Sequence, residues 1–151
     1  MERYVSPPLQ VPAPSALYKH DRVDLELHGV EHSGESFAVR VFVNAEDAGP
    51  ETPAAGENPA YAGSFYIFGH GPCLGDQGHC DVRTGPITPY DFRPPHPLMP
   101  QYHRLPITDA LRASAHEDTF SVTLVVVANH GGSYESVDAL TFRRLSVVAY
   151  S

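Results

Sequence analysis

Proline and glycine interrupt this chain more than any other feature, with 15 prolines and 12 glycines spread along 151 residues. Proline removes a backbone donor and breaks a helix interior, and glycine costs helix stability, so long helices and coiled coils are excluded. With 42% hydrophobic residues, one buried core is the expectation. The stretches between the breaks are short and alternate in polarity, as antiparallel β structure requires.

Four stretches carry that alternation. In residues 22 to 30, Val23, Leu25 and Leu27 share one face while Asp24, Glu26 and His28 share the other. Phe37, Val39, Val41 and Val43 share a face in SFAVRVFVN, and the intervening HSGE reads as the turn of a hairpin. TFSVTLVVVAN (119 to 129) and ALTFRRLSVVAY (139 to 150) supply two more strands around the turn cluster HGGSYESVD. In the last strand the apolar face switches between Phe142 and Leu145, which predicts a bulge at Arg143 and Arg144. GSFYIFG is a short aromatic β run, PITDALRAS a helical turn with Thr108 as N-cap candidate, and residues 69 to 106 otherwise read as irregular.

The fold class expected is all-β: an antiparallel, jelly-roll-like β-sandwich with long loops and one or two short helical turns. Residues 1 to 20, with four prolines, read as an extended lead-in, and residues 21 to 151 as the sandwich domain. Residues 45 to 62 form a loop long enough to expect a role or disorder.

A formal charge of -8 and the absence of any Lys/Arg run disfavour nucleic acid and anionic membranes as partners. The N-terminal residues lack the apolar stretch of a signal peptide, and the longest apolar run, Leu124 to Ala128, is too short to span a bilayer. A soluble chain follows as the expectation, cytoplasmic or exported only with a partner. The phosphate loop, the G-x-S-x-G elbow, the H-E-x-x-H metal motif and the dinucleotide fingerprint are all missing, so nothing demands an enzyme.

Nine histidines direct attention to metal chemistry. His28 and His32 would stand about 13 Å apart on a strand, too far to share an ion, and read as two solvent-facing histidines. The densest group, HGPCLGDQGHC, holds His70, Cys73, His79 and Cys80, donors that suit copper(I) or zinc. Cys73 and Cys80 can instead close a disulfide that stabilises by about 2 to 3 kcal/mol, or stay as free thiols. RPPHPLMPQYH adds His96, Met99 and His103 as soft ligands, and Tyr90, Phe92 and Tyr102 on the same loop offer an apolar surface for a partner.

These residues also carry a resemblance. FAVRVFVN (Phe37 to Asn44), followed after a loop by YAGSFYIFGHG (Tyr61 to Gly71), resembles the strand-loop-strand pattern in the C-terminal β-sandwich domain of type-3 copper proteins, the tyrosinases, polyphenol oxidases and haemocyanins. GHCDV, DFRPPHPL and ITDALR are similar to stretches of bacterial tyrosinase-like proteins. In that family six histidines on a four-helix bundle hold two copper ions and the sandwich packs over their entrance. The resemblance therefore implies a non-catalytic accessory domain that shields or matures a dicopper site, its partner an oxidase domain in the same or a separate chain, with copper handled through that partner. The alternative is a stand-alone copper- or zinc-binding sandwich, or small metalloenzyme, using His70, Cys73, His79 and Cys80. A plain structural or carbohydrate-binding module fits less well, because the chain has no tryptophan.

Overall fold

The computed structural model describes residues 1–11, 22–70, 89–90, 99–114, 118–130 and 133–150. In chain order the elements are β1 (Arg3–Val5), β2 (Leu9–Gln10), β3 (Arg22–Val30), β4 (Phe37–Val43), β5 (Tyr61–Ile67), β6 (Gln101–Pro106), α1 (Thr108–Ser114), β7 (Thr119–Phe120), β8 (Val122–His130), β9 (Ser133–Ser136) and β10 (Arg144–Tyr150). One sheet runs β1-β8-β4-β5, with β9 also on β8; a second runs β10-β3-β6; β2 and β7 form a separate pair. The ladders among these residues are antiparallel, and the all-β sandwich expected from the alternation is the architecture observed.

The core fills the space between the sheets. Val23, Leu25, Leu27 and Val30 of β3 meet Val39, Val41 and Val43 of β4 and Leu124 and Val126 of β8. These are the inward sets of each alternation, and each fully buried Val or Leu contributes about 1.5–3 kcal/mol relative to exposure. Ala110 and Leu111 of α1 join the same core. The Thr108 hydroxyl, an N-cap candidate by sequence, accepts from the Val23 amide at 2.8 Å and so ties the start of β3 to the helix.

β4 is buried on both faces. Its Ala38 and Phe42 pack with Val125, Val127 and Ala48 in a second cluster. The cover comes from Ala45 and Ala48, in a segment that turns at residues 45–48, 49–52 and 55–58 and receives the Arg40 guanidinium on the Pro50 carbonyl at 2.6 Å. The long loop expected to have a role or be disordered thus packs on the sheet's outer face through its first turn.

Four expectations are corrected. The sequence starts the folded body near Asp21, yet Arg3–Val5 pairs with Thr123, Leu124 and Val125 of β8, and Leu9–Gln10 pairs with β7. Proline-rich segments adopt extended backbone, which an edge strand can use. The hairpin expected between β3 and β4 does not form, because the two strands lie in different sheets; their apolar faces oppose one another across the core. Residues 101 to 106 form an edge strand where irregular chain was expected; its alternation is short and flanked by Pro100 and Pro106. Finally, β10 begins only at Arg144, and the irregularity lies on its partner β3, where the register with β6 shifts between His28 and Val30. Gly29 sits there at φ +72°, and an added Cβ would collide with the Arg143 side chain.

Candidate functional site

Two chain segments from opposite sheets are fastened together at one end of the sandwich. After β3 the chain turns through residues 31 to 36, and after β5 it continues through Phe68, Gly69 and His70. The Gly69 amide donates to the Ser36 hydroxyl at 3.0 Å, and the His70 amide donates to the His32 carbonyl at 3.1 Å. Gly69 lies so close to the backbone of Gly34 and Glu35 that a Cβ there would overlap it.

That junction sets two imidazoles against each other. The rings of His32 and His70 have centroids 4.9 Å apart at 73°, and their Nδ1 atoms are 3.2 Å apart. His32 is buried, 8% exposed, which corrects the expectation of a solvent-facing side chain; the turn folds it inward rather than continuing the strand. Its Nε2 lies 3.0 Å from the Met99 carbonyl. A carbonyl only accepts, so His32 carries its proton on Nε2 and leaves Nδ1 as an acceptor for the Nδ1 proton of His70. Beside the pair, His103 stacks on Phe65 at 4.9 Å and pairs with the Gln101 side chain at 2.8 Å. Burial pushes the His103 pKa down, and His32 pushes it the same way when it is protonated.

The outer face of the β10-β3-β6 sheet carries a polar network. Glu26 accepts from the Tyr102 hydroxyl at 2.6 Å and lies 3.3 Å from His28, which in turn lies 3.1 Å from Ser146. The Tyr102 hydrogen bond lowers the Glu26 pKa, with burial opposing it and His28 assisting. The same bond raises the Tyr102 pKa. At the end of this face the wholly buried Asp24 lies 2.6 Å from Arg22 and 3.5 Å from Arg104.

A third feature is apolar. Ala38, Ile67 and Val127 help line an open groove of about 390 Å³ bordered by Tyr66, Phe68 and Tyr134. Tyr66 and Phe68 are 72% and 78% exposed.

Of the residues singled out from the sequence, His70 belongs to the imidazole pair. Cys73, His79, Cys80, Phe92 and His96 lie outside the described residues, and with them the disulfide and the four-ligand loop. Met99 has an exposed side chain while its carbonyl serves His32. His103 faces Phe65, Tyr90 is exposed, and Tyr102 is tied to Glu26. His32 escaped the sequence reading as a partner of His70, since no spacing rule links residues 38 apart. Among the described residues no group of three or more His, Cys, Asp or Glu side chains is placed to hold a metal. The helix Thr108–Ser114 contains no histidine, so the described residues do not fit a dicopper centre of paired helical histidines.

No family model and no curated protein matches the sequence. Solved structures do match. A recombinantly expressed latent aurone synthase, a polyphenol oxidase, aligns at 17% identity and TM-score 0.56, covering 99% of this chain and 24% of that one. The enzyme from its natural source gives 17% and 0.55 over the same shares. A latent apple tyrosinase gives 18% identity and 0.57, covering 99% of this chain and 26% of that one. At these identities the likeness is one of fold, and the chain spans about a quarter of the structures it matches. It has the fold of a β-sandwich portion of the polyphenol oxidases and tyrosinases.

Proposed function

We propose that this chain is an accessory β-sandwich domain of a tyrosinase-like type-3 copper protein, covering the entrance to a dicopper site or assisting its maturation. The observation that carries the reading is that 99% of the chain aligns with only about a quarter of latent polyphenol oxidase chains. The sandwich resemblance in FAVRVFVN and YAGSFYIFGHG agrees with it, since these are β4 and β5 with their flanks. Catalysis belongs to the oxidase partner in this reading.

Contact with the partner falls to the segment from Gly85 to His103, whose end, Tyr102 and His103, lies on β6. Tyr90, Phe92 and Tyr102 plug the entrance, and His96, Met99 and His103 offer soft ligands for copper(I) in transit. Tyr90 is 89% exposed, as a plug requires. The test assays the oxidase partner with and without this chain, then with Tyr90, Phe92 and Tyr102 changed to Ala. Shielding gives higher activity once the aromatics are lost. Copper delivery gives an inactive partner when His96, Met99 and His103 are replaced. No effect in either experiment rejects the accessory role.

A further inference from the structure

We propose that the Nδ1 atoms of His32 and His70 form a two-nitrogen seat for a zinc-class divalent transition-metal ion. Two imidazole nitrogens bound to one tetrahedral ion at about 2.0–2.1 Å each lie about 3.3–3.4 Å apart, by simple trigonometry on the tetrahedral angle. The observed Nδ1 separation is 3.2 Å, within about 0.2 Å of that spacing. The His32 carbonyl lies 3.4 Å from the same His70 Nδ1, beside the gap between the two nitrogens.

The surroundings favour metal over a bare hydrogen bond. Metal-bound histidines almost always donate their other ring N–H to a carbonyl or carboxylate, which fixes tautomer and orientation. His32 does this at 3.0 Å to the Met99 carbonyl, leaving Nδ1 as the ligand atom. Its burial removes alternative rotamers, and the His70–His32 backbone bond and the close approach at Gly69 hold the second ring in place. Phe68 meets the His70 ring edge-on at 6.3 Å. The proton balance closes without a co-reactant: the ion takes the place of the shared proton, which moves from Nδ1 to Nε2 of neutral His70. Two ligands occupy two corners of a tetrahedron and leave two for other donors. The inference needs no partner chain, so it stands or falls separately from the accessory reading.

The full chain, reduced and metal-free, is titrated with Zn2+ while imidazole nitrogens are followed by long-range 1H–15N correlation. One equivalent shifts Nδ1 of both His32 and His70 and converts His70 from the Nδ1–H to the Nε2–H tautomer. Calorimetry then compares variants. Loss of an outer-sphere partner alone costs 10–100-fold in affinity, so H32Q and H70Q each weaken Zn2+ by at least about 100-fold, whereas C73S/C80S leaves it within a few-fold. Should H32Q fail to fold, the tautomer shift in the unaltered chain decides. Zinc bound equally well by H32Q, binding abolished in C73S/C80S, engagement of Nε2, or no binding at millimolar Zn2+ overturns the proposal.

Discussion

Asn44 shows how much one side chain can hold. It sits at φ 51°, accepts from the Ser121 amide at 2.8 Å and donates to the Ser114 carbonyl at the end of α1, also at 2.8 Å. Asparagine tolerates the left-handed region better than alanine. Asn44→Ala is therefore expected to destabilise the fold by about 2 kcal/mol, from strain and an unpaired Ser121 amide, measurable as a lower urea midpoint at unchanged slope. His103 gives a pH effect of definite sign. Its folded pKa lies below the usual value of 6.5, so the unfolded chain binds the proton more readily. That contribution is complete above the unfolded pKa and is lost as pH falls through the folded one. Stability should decline on acidification from pH 7 toward 5, and less so in His103→Asn; identical profiles for the two proteins would refute the assignment. Glu26, whose pKa is lowered first by Tyr102, should titrate higher in Tyr102→Phe when followed by carboxyl carbon NMR.

At the scale of elements, the junctions matter more than the strands they join. Ser6 follows β1 and exchanges bonds with Val122: its amide donates to the Val122 carbonyl, and its hydroxyl accepts from the Val122 amide, both at 2.9 Å. Ser6→Ala leaves a buried amide unpaired, and a loss of about 1–3 kcal/mol is expected. Deleting residues 1 to 11 removes β1 from the edge of β8 as well, and exposed edges template aggregation. A truncated chain that stays soluble and as resistant to protease as the intact one would contradict this account. Gly69 fastens the turn after β3 to the end of β5. Gly69→Ala must displace the Gly34–Glu35 backbone, with a cost of about 1–3 kcal/mol typical of overpacking, and should weaken the His32–His70 contact in the same NMR experiment.

For the whole molecule, the two faces of the main sheet divide the labour. The inner face packs on β3 and builds the principal core; the outer face is covered in part by Ala45 and Ala48 and is open at Tyr66 and Phe68. Leu25 is fully buried at the centre of β3, and Leu25→Ala is expected to cost about 2–5 kcal/mol. An open aromatic groove of this kind marks a contact surface on many proteins. In the oxidase assay, changing Tyr66 and Phe68 to Ser separates that groove from the segment that carries Tyr90, Phe92 and Tyr102. Loss of partner inhibition from the groove variant alone would move the contact to the sheet's outer face.

The sequence by itself determined the class of fold, because the alternation in residues 22 to 30, 37 to 43 and 122 to 128 assigns each apolar side chain to a face whatever strand lies alongside. Proline and glycine spacing left room for short helical turns only, and among the described residues the helix is Thr108–Ser114. Tertiary structure alone decided which strands pair. Turn residues between β3 and β4 looked like a hairpin, yet both strands bury their inner faces against each other across the core, which neighbours in one sheet do not do. It also decided the chemistry at the sandwich's end. His32 and His70 are 38 residues apart and meet only because Gly69 lets two backbones touch, and such a through-space distance leaves no periodic trace along the chain.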